Sequence, residues 1–172
     1  MVSDYRRTVE DSQSGFEKLV GSIPGYQGYK ERELRREADK ALRTHLARRF
    51  DEQRRHLVGV MAQLTNAGQL TETVALERAN LRLQLLIDRL RTAAYGYAGL
   101  FDAFKVEQAE LDALYEFDST LATGVDRVAE LIGSIEGLAG KGENTSAEAS
   151  ALLDVLQELN DTFGRRMEVI TR

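Results

Sequence analysis

The chain has 172 residues, no cysteine, one proline and two histidines. Without cysteine there is no disulfide, no thiolate metal ligand and no cysteine nucleophile, a composition that suits a reducing compartment. With one proline in the whole chain, long helices can run without the residue that most disrupts their interiors. The histidines, His45 and His56, fall within one predicted helix, and neither has a Glu three residues before it, since Leu42 and Gln53 stand there. A di-metal centre in a helical bundle needs Glu-x-x-His pairs on facing helices. At 1.5 Å per residue the two imidazoles are about 16 Å apart along the axis. No metal centre of that kind is expected.

Long apolar runs are also missing. The stretch TAAYGYAGLF at 92–101 falls well short of the roughly 20 residues that span a bilayer. The opening MVSDYRRTVEDSQSG lacks the apolar centre of a secretory signal, so a soluble, cytoplasmic protein is expected. Strand-like alternation is absent, and with it any strand-borne glycine loop for phosphate. The serines cluster in linkers and caps, and no Ser-His or Thr-His pairing is suggested. The expectation is a protein that is not an enzyme and carries no cofactor.

Charge is abundant but unevenly placed. The net charge is −5, yet residues 30–95 sum to +5, residues 96–172 to −9 and residues 1–29 to −1. Complementary pairing between neighbouring helices explains such a division. The arginines of the basic half, Arg43, Arg48, Arg49, Arg54 and Arg55, are interspersed with Glu37, Asp39, Asp51 and Glu52. A nucleic-acid face needs basic residues largely free of such neighbours, and no nucleic-acid partner is expected.

What the sequence does carry is helical period. Apolar residues recur at alternating spacings of three and four. The first seam runs Leu46, Phe50, Gln53, Leu57, Val60, Leu64, and the second runs Leu76, Asn80, Leu83, Ile87, Leu90, Ala94, Tyr97, Phe101, Phe104. The third is Leu111, Leu114, Asp118, Leu121, Val125, Val128, Ile132, Ile135, Ala139, and the fourth is Ala149, Leu152, Leu156, Leu159, Phe163 and then Met167 or Ile170. TNAGQ at 65–69 closes one helix and opens the next. Thr145 and Glu148 have the spacing of a capping box. The predicted fold is all-α: an elongated antiparallel four-helix bundle, up-down-up-down with coiled-coil-like heptad seams. Its helices cover about 30–66, 70–104, 108–139 and 146–171. A shorter accessory helix and a strap rich in Pro, Gly and Tyr occupy residues 1–29. Glycines inside the pattern, Gly59, Gly96, Gly99, Gly124, Gly133 and Gly137, are read as close helix contacts or kinks, since each costs about 1 kcal/mol against alanine.

Two groups of residues are candidates for function. In such a bundle Tyr26 and Tyr29 of the IPGYQGY strap meet Tyr97 and Phe101 at the end where the first helix starts. Aromatic residues at a surface are common anchors for a partner, which makes these four a candidate partner surface. The second group is polar residues at or beside the core: Gln53, Asn80, Asp118 and His45. Gln53 and Asn80 are at matching heights, where their amides could bond to each other and fix register. A buried Asp118 needs a partner, for which a tyrosine hydroxyl, Arg43 and His45 are the candidates.

The first functional expectation is a helical-bundle protein acting through protein–protein contact, as a scaffold, an adaptor or a self-assembling subunit. The second is a peripheral membrane or stress-response coiled coil with residues 4–23 on lipid. That segment lacks the cationic excess interfacial helices usually show. The third is a small-molecule or pH sensor built around Asp118.

Overall fold

A computed structural model describes residues 32–93 and 108–171, with side chains placed at 40–93, at 114 and at 116–168. Four helices are present: α1 Arg32–Asn66, α2 Leu70–Thr92, α3 Gln108–Lys141 and α4 Ser146–Thr171. No strand occurs among the described residues. The 35 residues of α1 make a rod about 52 Å long. The accessory helix and strap of residues 1–29, the predicted run of the second helix over 94–104, and the four aromatics Tyr26, Tyr29, Tyr97 and Phe101 lie outside the described residues.

The helices end where backbone chemistry lets them. Gly68 and Gly142 hold φ of 77° and 71°, a left-handed conformation that costs glycine nothing and other residues more. At the first, the N–H of Gly68 bonds to Thr65 O and that of Gln69 to Leu64 O. At the second, Gly142 bonds to Ala139 O and Glu143 to Leu138 O. Both are the paired bonds that satisfy the last free carbonyls of a helix. The start of α4 differs from the sequence expectation. Asn144 Oδ1 accepts the Ser146 N–H at 2.8 Å, while the Thr145 hydroxyl is buried and has no hydrogen-bond partner. The free donor of the first turn is thus taken one residue earlier than the capping box places it.

The seams meet in one core. Leu46, Phe50, Leu57, Val60 and Leu64 of α1 pack with Leu76, Leu83, Ile87 and Leu90 of α2. Leu121, Val125, Val128, Ile132 and Ile135 of α3 and Leu152, Leu156, Leu159 and Phe163 of α4 complete it. Burying each such side chain is worth about 1.5–3 kcal/mol, and this dry interior holds the four rods together.

The packed pairs are α1–α2, α3–α4, α2–α4 and α1–α3. Cross-contacts give their directions. Asp51 with Arg91 and Thr65 with Thr73 run in opposite order along α1 and α2, as do Asp118 with Arg166 and Arg127 with Glu158 along α3 and α4. Arg49 with Asp126 and His56 with Glu136 rise together along α1 and α3, so those two are parallel. The up-down-up-down order holds, but α2 and α3, consecutive in the chain, occupy opposite corners of the bundle. The basic α1 therefore faces the acidic α3 directly, through the same Arg49–Asp126 and His56–Glu136 pairs.

Glycine follows the expectation of close contact at one described position. At Gly124 a Cβ would collide with the side chain of Leu159, so the bare backbone of α3 lets α4 approach. Gly59, Gly133 and Gly137 have open space around them.

Candidate functional site

Five of the six buried polar residues described, Arg43, Asp118, Asn160, Thr162 and Arg166, lie toward the end where α2 stops. Asp118 of α3 and Arg166 of α4 are each 1% exposed. The arginine Nε donates to Asp118 Oδ1 at 2.6 Å and its Nη2 to Oδ2 at 3.4 Å. Both residues make further interactions. The sequence offers tyrosines, Arg43 and His45 as partners for Asp118, and the structure supplies Arg166. The reason is the antiparallel register about the turn at 142–145, which brings residue 166 level with residue 118. The signal was the pair Arg165–Arg166, which interrupts the apolar pattern of α4 near that level.

Arg43, 5% exposed, donates through Nη1 to Leu90 O at 3.0 Å. Leu90 is in the last turn of α2, where carbonyls lack helical partners and a cation meets the negative end of the helix dipole. Asn160 is a second polar residue that the sequence did not single out. Its amide donates to Leu156 O at 2.9 Å and to Arg82 O at 3.2 Å. Arg89 Nη1 donates to Asn160 O at 2.8 Å and lies within 3.3 Å of its Oδ1. The same guanidinium stands 5.2 Å from the centroid of the Phe163 ring, a cation–π distance. This network joins α2 to α4 with its donors and acceptors matched.

Gln53 and Asn80 do not form the expected amide pair. Both are half-buried, and among the described residues no hydrogen bond joins them. Asn80 Oδ1 instead accepts from Arg54 Nη1 at 3.4 Å, because Arg54 is the residue of α1 that reaches across to α2 at that height. His45 is also half-buried, and its Nε2 is buried without a hydrogen-bond partner. Burial, with the charges of Arg48 and Arg49, lowers its pKa below the ordinary 6.5 against a smaller opposing effect of Glu52. The pKa of Asp51 is lowered as well, which for a carboxyl favours the charged form. Burial pushes its pKa up, but the hydrogen bond and charge of Arg55 and the charges of Arg91 and Arg54 outweigh it and hold the carboxyl below 3.8.

The chain matches no family model, no curated protein and no solved structure.

The second notable feature is on the surface. Leu70, Val74, Leu81 and Leu85 of α2 are 61%, 63%, 68% and 53% exposed. Advancing about 100° per residue, these four fall within about 60° of each other. They lie about 180° from the middle of the buried set Leu76, Ala79, Leu83, Leu86, Ile87 and Leu90. A surface helix ordinarily turns a polar face to water. Here the outer face of α2 carries these aliphatic residues among the exposed charges of Glu77, Arg78 and Asp88. Across the α1–α2 pair, Val58 of α1 is 43% exposed.

Among the described residues no group of three or more His, Asp or Glu side chains could hold a metal ion. No described helix is long and apolar enough to cross a membrane.

Proposed function

We propose that the protein is a helical-bundle scaffold, adaptor or self-assembling subunit that acts by protein–protein contact and performs no catalysis. The observation that carries this reading is the outward stripe Leu70, Val74, Leu81 and Leu85 of α2. Exposed aliphatic residues aligned on one helix face, rimmed by charges, are a mark of an interaction surface. The buried polar residues support the same reading from the other side. Asp118, Arg166 and Asn160 are held by partners within the bundle, so they serve packing and register, and a sensor role for Asp118 is less favoured. A cytoplasmic setting belongs to this reading and rests on the absence of cysteine.

A lipid surface is the other class of partner for an apolar stripe. The rim carries Glu77 and Asp88 beside Arg78 and Arg82, without the cationic surplus typical of interfacial helices. Two measurements test the proposal. A photo-crosslinking residue at position 81 is expected to give protein adducts in cells, whereas one at the exposed position 133 of α3 is not. Equal adducts from both positions, or none from 81, would contradict it. So would flotation of the pure protein with anionic vesicles at physiological salt.

A further inference from the structure

We infer that the outward stripe of α2 pairs with the same stripe of a second copy, with the two α2 helices parallel. This rests on the contact reading above and names its partner. The first argument is geometric. Val74 and Leu81 are seven residues apart and Leu85 is four beyond Leu81, which are positions of a two-helix seam. The seam position between Val74 and Leu81 is Arg78, and one polar residue at such a position fixes register at a cost in stability. From Leu70 to Leu85 the seam is about 22 Å long.

The second argument is charge, and it selects orientation. Glu77 lies on the rim of the stripe toward α1, and Arg82 lies on the rim toward α4. Neither side chain has a hydrogen-bond or ion-pair partner among the described residues. In a parallel pair related by a two-fold axis along the helices, the acidic rim of one copy faces the basic rim of the other. Glu77 then stands opposite Arg82 of the second copy, five positions on, the pairing of flanking positions in parallel two-stranded coils. An antiparallel pair sets acidic rim against acidic rim and loses the match. The stripe is smaller than the roughly 800 Å² a side that stable dimers bury, so the association is reversible and depends on concentration.

The lack of native cysteine makes a direct test available on the full chain. Leu81→Cys places a thiol in a layer where a parallel pair brings position 81 against its own copy. Under mild oxidation it is expected to form a disulfide dimer, while Gly133→Cys on α3 stays monomeric. In the unoxidised protein, Glu77→Arg and Arg82→Glu are each expected to weaken dimerisation by about tenfold, roughly 1.4 kcal/mol, and the double exchange to restore it. Helical circular dichroism checks that every variant is folded. If neither L81C alone nor its mixture with Val74→Cys chains crosslinks beyond the Gly133→Cys control, self-pairing is overturned. If only a mixture of Val74→Cys and Leu81→Cys chains crosslinks, the parallel orientation is overturned. If the photo-crosslinker at position 81 captures a different protein, or a position within residues 4–23 of its own chain, while light scattering shows a monomer, self-pairing fails. Capture of a different protein leaves the contact reading standing.

Discussion

Arg166 reaches across from α4 and places its Nε 2.6 Å from Asp118 Oδ1, with both side chains removed from water. Two charges in a core are costly to desolvate, and their attraction offsets that cost only while both are present. The pair therefore acts less as a source of stability than as a lock on the register between α3 and α4.

That view makes an uneven set of effects. Arg166→Met and Asp118→Leu alone are each expected to destabilise the fold by about 3–5 kcal/mol, because each removes one member of a buried ion pair. The double variant is expected to recover a substantial part of the loss. Urea unfolding of the four proteins measures this. Additive losses in the double variant would show that the two residues are not coupled.

Gly124 and the open glycines of α3 are expected to respond in opposite directions. Gly133→Ala and Gly137→Ala meet nothing, and each is expected to add about 0.5–1 kcal/mol through helix propensity. Gly124→Ala gains the same propensity but drives a methyl into buried Leu159, where overpacking costs about 1–3 kcal/mol. Thermal melts that rise for the first two and fall for the third are the expected outcome. A rise at Gly124 would mean that α3 and α4 are not in close contact there.

Two residues are expected to contribute to the response to acid, in different pH windows. His45 has a folded pKa below 6.5, so the unfolded chain takes up the proton first and stability falls as pH drops below 6.5. Asp51 has a folded pKa below 3.8. Its contribution is present above 3.8 and is lost as pH falls from there through the folded value. His45→Gln is expected to flatten the dependence that sets in as pH falls below about 6.5, and Asp51→Asn only the part below about pH 4. Denaturant midpoints across pH measure both, and an unaltered slope in the His45→Gln protein would contradict the first assignment.

The core was legible because burial imposes a period. Leu46 to Leu64 and Leu121 to Ile135 are buried at the positions their spacing indicates. Long-range pairing was less legible. Asp118 stood out as a polar residue in a seam, but its partner depends on which helices are neighbours, and α2 and α3 occupy opposite corners. The amide pairing of Gln53 with Asn80 failed for a simpler reason, since neither is buried deeply enough to need it. The outward stripe was less legible because the buried seam of α2 accounts for the helical period by itself. LRLQLLIDRL holds more leucine than a single face can take, and that surplus is the trace of a second surface. The four aromatics expected to meet a partner, Tyr26, Tyr29, Tyr97 and Phe101, lie outside the described residues, and the outer face of α2 is made of different side chains.

The most direct measurement is sedimentation velocity of the unmodified protein over a wide concentration range, beside Leu81→Glu. The wild type is expected to shift from monomer toward dimer as concentration rises. L81E, with unchanged helical content, is expected to remain monomeric throughout. A wild type that stays monomeric at every concentration, or a dimer indifferent to the charge at position 81, would contradict a self-pairing role for the outer face of α2.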